Sequence, residues 1–370
     1  MTRACDRCLR RGALIGFLSP HIAGAIVNRH RRTPGLLKLG EAQMIAAVGG
    51  SARGAALRLL AEFDAEAARA ALDRSGSEAI CRHAAEYPPL LAQLHDPPNP
   101  LYVCGGVERL LSLAAEPCVA MVGGRQPSDH ARGVAQRMGR GLAAAGVTVV
   151  SGLARGIDAE AHRGALEGGG APIAVLACGP DRSYPAQHRG LYRRVLERGV
   201  VVSEFPPGTE VRKWGFPARN RIMVGFSKLV VVVEAREASG SLITAEFAVG
   251  ENRDLAAVPG HVTTRMAAGS NALLHAGAAF VRDAEDVLDL LFGVGQGPRP
   301  EAMPAIAIDP GLRAVLDAVE AGDEVPRAGE EAGLSPAEVR AALGRLEALG
   351  LVRRDSFGGY ERSGAPAGCT

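Results

Sequence analysis

The 370-residue sequence has little lysine, few aromatic side chains and no long apolar run. Lysine occurs only at Lys38, Lys213 and Lys228, and aromatic residues make up 4% of the chain. Because no stretch is typical of a membrane span or a signal peptide, we expect a cytoplasmic protein with no membrane partner. The net charge of +2 excludes a global basic field, so a nucleic-acid site would be a local patch built mainly from arginine.

Cysteine is also scarce, and its seven positions follow no disulfide framework, which fits a reducing compartment. Cys5-x-x-Cys8 could supply half of a tetrahedral zinc site, and Cys81-x-His83 could supply the other half. These spacings are not those of a familiar zinc ribbon. We therefore favour free thiols and a surface histidine, and we predict neither a metal nor another cofactor.

Motifs for several kinds of catalysis are missing as well. The sequence has no Walker A loop, and Gly123-Gly124-Arg125-Gln126-Pro127-Ser128 lacks the third glycine of a dinucleotide fingerprint. Glu204 and Glu246 have no histidine beside them in sequence, and His261 is the best catalytic candidate. A lone loop histidine is more often structural, so we expect no enzymatic activity.

Short apolar runs alternate with helical stretches between residues 118 and 292. The runs are apolar throughout rather than at every second residue, which is typical of strands buried on both faces. The predicted strands span residues 118–122, 147–150, 173–177, 200–203, 229–233, 255–258 and 279–281. This pattern predicts an α/β fold with a doubly wound, mostly parallel Rossmann-like sheet, whose ligands bind beyond the carboxyl ends of the strands.

Composition divides the rest of the chain around this sheet. Residues 1–105 form an alanine-rich helical module of the SAM or helix-hairpin-helix type, ending in a proline-punctuated connector. Residues 106–292 form the Rossmann-like domain, and residues 293–308 are rich in glycine, proline and alanine, as expected of a linker. Residues 309–370 show helices followed by a short two-stranded wing, which predicts a winged helix.

Residues 148–158 are the most informative stretch. A β-branched strand stops at Ser151-Gly152, and a tight loop with Arg155 leads to a helix that starts near Gly156. Loop N–H groups, the helix dipole and the arginine would all favour a bound anion, so we expect a phosphate here.

The other strand ends suggest that this phosphate belongs to a polymer. Arginines occur at several of them, and two aromatic residues, Tyr184 and Phe216, lie between these arginines in sequence. The arginines are Arg125, Arg155, Arg182, Arg219 and Arg221. Arginines that follow phosphates and aromatic rings that stack on bases are how single strands are held without sequence preference.

Four motifs carry a more specific signal. They are Val122-Gly123-Gly124-Arg125, Ser151-Gly152-Leu153-Ala154-Arg155-Gly156-Ile157-Asp158, Phe216-Pro217-Ala218-Arg219-Asn220-Arg221 and Ser239-Gly240-Ser241-Leu242-Ile243-Thr244. Their order and spacing, between residues 87 and 290, resemble the DNA-processing protein A (DprA/Smf) family. The helical N-terminal region and the C-terminal wing resemble the usual flanks of that family less sharply.

The resemblance implies a non-catalytic bacterial protein that binds single-stranded DNA, protects incoming DNA in natural transformation and loads the RecA recombinase onto it. It also implies a homodimer formed through the Rossmann-like domain. The loops at Arg125 and Arg155 would line the DNA groove, and the amide of Asn220 would bridge loops. The candidate DNA-binding residues are Gly123, Gly124, Arg125, Ser151, Gly152, Arg155, Gly156, Arg182, Tyr184, Arg219, Asn220, Arg221, Ser239, Gly240 and Ser241.

The sequence departs from the family pattern at three loop positions. Gly124 replaces a serine, Asp129 brings a negative charge near the expected phosphate, and Ala186 replaces a lysine for which Arg182 could substitute.

Two other interpretations stay open. One is a nucleotide hydrolase of the lysine-decarboxylase-like phosphoribohydrolase type, although residues 239–246 lack the glycine run of those enzymes. The other is a free-nucleotide sensor that signals through the winged helix.

Overall fold

The computed structural model of the protein describes residues 2–27, 36–298, 309–321, 325, 329, 332–348, 351–354 and 359–362. The chain divides into two compact units, Met1–Arg299 and Pro300–Thr370. The first unit contains a nine-stranded sheet covered by helices, and the second contains helices and a two-stranded sheet.

The large sheet is mixed but mostly parallel. Its strands are β1 (Ser77–Ile80), β2 (Leu101–Cys104), β3 (Cys118–Val122), β4 (Thr148–Ser151), β5 (Ile173–Val175), β6 (Val200–Ser203), β7 (Leu229–Val232), β8 (Asp254–Ala257) and β9 (Ala279–Phe280). They lie in the order β1-β2-β6-β5-β4-β3-β7-β8-β9. Strands β3 to β9 run parallel, and β2 pairs antiparallel with both β1 and β6. Because the chain fills the sheet first on one side of β3 and then on the other, its topological switch point lies between β3 and β7.

Helices cover both faces of this sheet. They are α1 (Asp6–Val27), α2 (Glu41–Val48), α3 (Arg53–Ala61), α4 (Ala65–Arg74), α5 (Pro89–Ala92), α6 (Val107–Ala115), α7 (Asp129–Ala144), α8 (Ile157–Glu167), α9 (Arg189–Arg198), α10 (Gly215–Phe226), α11 (Gly240–Gly250), α12 (Ala268–His275) and α13 (Ala284–Phe292). Successive residues of β3 point to opposite faces, so Ala120 packs with Phe226 in one apolar cluster while Met121 packs with Leu142 in another. The continuous apolar runs of the sequence reflect this burial on both sides.

The seven strands predicted from the sequence are confirmed as β3 to β9, with some ends shifted by one or two residues. The sheet also extends into the region that composition assigned to the N-terminal helical module. There, β2 pairs with β6, and β1 adds beyond it at the edge of the sheet. The sequence Ser77-Glu78-Ala79-Ile80 has little strand character of its own, so its pairing depends on partners that are distant in sequence.

The N-terminal helices share a core with the sheet unit. Leu14 and Leu18 of α1 lie in one buried apolar cluster with Phe205 and Trp214. The indole Nε1 of Trp214 donates a hydrogen bond to the carbonyl of Ser19 at 3.1 Å. Residues 1–105 are therefore continuous in packing with the domain that follows them.

The second unit contains the helices Pro310–Ala321 and Pro336–Ala348 and an antiparallel pair formed by Val352–Arg354 and Tyr360–Arg362. These elements fit the predicted helices and wing, and the assignment as a winged helix stays a prediction. Most of the predicted linker, residues 293–308, lies outside the described residues. Within the described ranges, no helix combines the length and the apolar character that crossing a bilayer requires.

Candidate nucleic-acid interface

A groove opens at the carboxyl edge of the sheet, at its switch point. The loops after β3, β4, β5 and β7 surround a cavity of about 530 Å³. Its lining includes Arg125, Arg155, Tyr184, Phe216, Arg219 and Arg236. A smaller cavity of about 270 Å³ shares Arg125, Phe216 and Arg219 with it, so the two form one groove. Doubly wound sheets bind their ligands at this place.

Three side chains from three separate segments form what we call the Phe216 cluster: Arg125, Tyr184 and Phe216. The Arg125 guanidinium carbon lies 4.6 Å from the centroid of the Phe216 ring. The Tyr184 ring lies on another side, 5.9 Å from Phe216 between centroids and tilted by 46°. Tyr184 is 41% exposed although it is aromatic, so a π-face is available to a ligand. The cluster therefore presents a cation and aromatic surface together.

The glycine loop after β4 is held tightly against the loop after β3. Gly156 has a φ of +76°, and a Cβ there would collide with the carbonyl of Gly124 and with Pro127. The Ile157 N–H donates to that same carbonyl at 3.2 Å. The Ser151 hydroxyl donates to the Met121 carbonyl at 2.6 Å. Glycine is required here for close backbone approach.

The start of α8, where the sequence predicts a phosphate, is partly occupied by bonds within the protein. The first-turn donor Ile157 N–H is already bonded to protein, and the Asp158 carboxylate accepts from the Ala154 N–H at 3.4 Å. Asp158 pairs with Arg219 at 3.4 Å and is buried, whereas its neighbour Arg155 is exposed. Burial raises the pKa of Asp158 despite the attraction of Arg219. Arg125 and Arg155 are thus exposed in the groove, whereas the Ile157 N–H at the helix terminus is already bonded.

The structure also corrects the placement of Arg221, which does not line the groove. It is 5% exposed, and its Nη2 donates to both carboxylate oxygens of Glu204 at 2.6 Å. Its Nε lies 3.4 Å from Asp96. Burial alone would lower the pKa of Arg221, but the carboxylates of Glu204 and Asp96 outweigh burial and raise it. A buried charge needs such partners, so Arg221 joins α10 to the loop after β6 instead of contacting a ligand.

Arg219 lies in the floor of the groove rather than on its rim. It is 6% exposed, and its Nη1 donates to the carbonyls of Gly152 and Val175, the latter at 2.7 Å. These bonds connect α10 to the loop after β4 and to the end of β5. A Cβ on Gly152 would collide with this guanidinium. Arg219 therefore fastens α10, which carries Phe216, to the loop that carries Arg155.

Most of the remaining predicted residues line one of the two cavities. The amide of Asn220 joins two helices rather than two loops, since its Nδ2 donates from α10 to the carbonyl of Gly240 at the start of α11 at 3.3 Å. The smaller cavity is lined by Gly123, Asn220, Ser239, Gly240 and Ser241. Gly124 and Gly152 also belong to the lining of the larger cavity. Arg182 is exposed but lines neither of the two cavities, and the same holds for Asp129, which pairs with Arg132 at 3.7 Å.

Sequence reasoning missed several groove residues that follow β3 and β7. Gln126 and Arg236 line the larger cavity, and the Arg236 Nε lies 3.1 Å from the sulfur of Met266. Glu234 brings a carboxylate into the groove, but it accepts from the Ser128 N–H at 2.8 Å and from its hydroxyl at 2.7 Å. That carboxylate is thus occupied at the N-terminus of α7. The position of these residues just after strands is a signal that could have found them.

Together, the fold and the groove define a Rossmann-like protein with an arginine-rich, aromatic-lined ligand site at the switch point of its sheet. The family model described as DNA recombination-mediator protein A matches residues 78–292. The chain belongs to this family, which confirms the resemblance found in its motifs.

Curated relatives and solved structures agree with this assignment. Protein Smf of Synechocystis is 34% identical over 313 residues, covering 75% of this chain and 78% of its own. The crystal structure of DNA processing protein A from Streptococcus pneumoniae is 30% identical, with a TM-score of 0.60, and covers 78% of this chain and 98% of its own. DNA processing protein A from Helicobacter pylori, described for its single-stranded DNA binding mode, is 27% identical, with a TM-score of 0.52. It covers 58% of this chain and 95% of its own.

Proposed function

We propose that this protein binds single-stranded DNA along the groove at the carboxyl edge of its sheet and does so without chemical catalysis. The Phe216 cluster is the observation that carries the proposal. It combines an exposed guanidinium with ring faces, and single-strand binding uses these two groups on phosphates and on bases. Membership in the DNA recombination-mediator family supports the same ligand.

The shape of the groove favours a strand over a single nucleotide. Two cavities are joined through Arg125, Phe216 and Arg219, and the exposed Arg155 and Arg236 lie beyond the cluster. Several separated cations suit successive phosphates, whereas one nucleotide tail would need them at one point. Bases in a duplex are stacked on each other and cannot lie on Tyr184, so we expect a preference for unpaired DNA.

The direct test is a titration of fluorescent single-stranded and duplex oligonucleotides of equal length, followed by anisotropy at several salt concentrations. We expect tighter binding of the single strand and a steep loss of affinity with salt, because phosphate contacts release counterions. Equal affinity for both forms, or an affinity that salt does not change, would contradict the proposal.

We also propose the finer roles that family membership suggests: protection of incoming DNA, delivery of the bound strand to a RecA-type recombinase, and assembly as a homodimer. If delivery depends on the groove, Arg125→Ala should reduce both strand binding and the rate at which recombinase filaments form on that strand. Sedimentation equilibrium tests the dimer separately. A monomer at all concentrations would exclude it without affecting strand binding.

The hydrolase interpretation receives less support from the site. Glu246, the residue that would have to act in such an enzyme, lines neither of the two groove cavities. Glu234 does line the larger one, but its carboxylate is bonded to Ser128. Incubation with nucleoside monophosphates should therefore release no free base, and release that depends on Glu246 would restore the enzyme interpretation.

A further inference from the structure

Four metal-ligating side chains from distant parts of the sequence meet at the edge of the sheet. Cys5 lies just before α1, Cys8 lies in its first turn, and Cys81 and His83 follow β1. Their ligand atoms all lie within 4.8 Å of one another. The sequence alone led us to favour free thiols here, and the tertiary structure changes that judgement.

Four of the six distances between these ligand atoms are close to those of a tetrahedron around one ion. The Nδ1 of His83 lies 3.5 Å from the Cys5 sulfur, 3.2 Å from the Cys8 sulfur and 3.7 Å from the Cys81 sulfur. The Cys5 and Cys81 sulfurs are 3.9 Å apart. Tetrahedral zinc with ordinary bond lengths would separate two sulfurs by about 3.8 Å and a sulfur from a nitrogen by about 3.5 Å. A disulfide would need sulfurs only about 2 Å apart.

The surrounding backbone holds these ligands independently of any ion. The Arg3 N–H donates to the Ala79 carbonyl at 2.7 Å, which places the N-terminal segment beside β1. The Cys8 N–H donates to the Cys5 carbonyl at 2.9 Å and closes the turn between the two thiols. The Cys5 N–H points at the Cys81 sulfur at 3.5 Å, the kind of bond that supports a coordinated thiolate.

The local charge also suits a metal-bound thiolate cluster. Three thiolates and a divalent ion carry a net charge of −1 when the histidine is neutral. Cys8 and His83 line a cavity in which five cationic side chains, Arg7 and Arg82 among them, outnumber three carboxylates. Three sulfur ligands and one imidazole in a closed tetrahedron are typical of structural zinc rather than of magnesium or calcium.

We propose that Cys5, Cys8, Cys81 and His83 bind one structural zinc ion, which fastens the start of α1 to the end of β1. The ion would join the N-terminal helices to the outer edge of the sheet. This inference is independent of the proposed DNA function, because none of the four residues lines the groove.

Metal analysis of the purified full-length chain tests the site directly. We expect about one zinc per chain after dialysis, released when a mercurial reagent blocks the thiols. Refolding the chain with cobalt(II) should give the intense visible bands of tetrahedral thiolate coordination. A chain that carries no zinc and gives no such cobalt spectrum would overturn the proposal, and so would a Cys5–Cys81 disulfide in the freshly purified protein.

Variants separate metal binding from folding. His83 is exposed, so His83→Ala should fold and bind zinc more weakly than the unmodified protein, while His83→Cys should keep a full set of ligands and the metal. Cys81→Ser should lose the metal and unfold at a lower temperature. The matched control is Cys118→Ala, because Cys118 is buried and bonds the Leu113 carbonyl away from the cluster. Zinc content that is equal in His83→Ala, Cys81→Ser and Cys118→Ala would exclude the assigned ligands.

Discussion

Replacing Arg125 by alanine is the sharpest test of the groove. The guanidinium is exposed and lies 4.6 Å from the centroid of the Phe216 ring, so the ring supports the group while it stays accessible to a phosphate. Removing it should cost a phosphate contact and the cation–π support of the ring. We expect a loss of about 1–2 kcal/mol in binding to single strands, or about 5- to 30-fold in Kd.

The dependence on salt identifies the lost contact. For single strands, each neutralised phosphate contributes a slope of about −0.7 to log K against log salt concentration. Arg125→Ala should therefore have a slope shallower by about 0.7. Between about 50 and 200 mM salt, the difference in affinity from the unmodified protein should narrow by about 2.5-fold. Arg125→Lys keeps the charge but loses the planar stacking, so it should keep the slope and lose part of the affinity.

Anisotropy titrations at four salt concentrations measure both quantities. The control is Arg198→Ala, which removes the same charge from the last turn of α9. That residue is exposed and lines neither groove cavity. If Arg125→Ala and Arg198→Ala have the same Kd and the same slope, phosphate does not bind at Arg125 and the groove has been assigned wrongly.

Three further predictions concern buried residues. Gly152→Ala should displace the Arg219 guanidinium, which should lower the free energy of unfolding in urea by about 1–3 kcal/mol and weaken binding of the DNA strand. If neither the free energy of unfolding nor the affinity changes, the loop is not packed as described. Arg221→Met should lower the free energy of unfolding by about 3–5 kcal/mol, because it leaves the Glu204 carboxylate buried without its partner. Where this variant folds, its DNA binding should depend on salt as steeply as that of the unmodified protein. Burial lowers the pKa of His162 from 6.5 to about 3. As the pH falls below 6.5, this histidine is therefore protonated in the unfolded chain before it is protonated in the folded protein. The free energy of unfolding should then decrease by up to about 1.4 kcal/mol per pH unit. His162→Leu should therefore flatten the stability profile between about pH 6 and pH 4, and an unchanged profile would show that His162 is protonated in the folded protein.

The fold was predictable from the sequence to a large extent, because strands β3 to β9 are apolar throughout and that pattern is local. The glycine loops and the arginines that follow the strands were predictable as well, since the carboxyl ends of parallel strands share one edge. Arg125, Arg155 and Tyr184 do meet at the groove for this reason. The same rule covers Arg236, which our sequence analysis overlooked.

Burial could not be read from the sequence at the arginines of α10. In the sequence, Arg219 and Arg221 look like the other cations of the rim, yet both are buried and each pairs with a carboxylate. Their partners come from other segments: Asp158 from the first turn of α8, and Glu204 from the loop after β6. Which arginine faces solvent thus depends on how α10 packs, which no local pattern records.

By itself, the sequence determined the parallel sheet, the edge at which the groove opens and the family to which the chain belongs, because each depends on local runs of residue types. The tertiary structure alone decided which charges are free for a ligand and which are buried in ion pairs. It also brought Cys5 and Cys8 to Cys81 and His83, across more than seventy residues of chain. Such encounters depend on long-range packing, so the spacings could name the two half-sites as candidates but could not show that they meet.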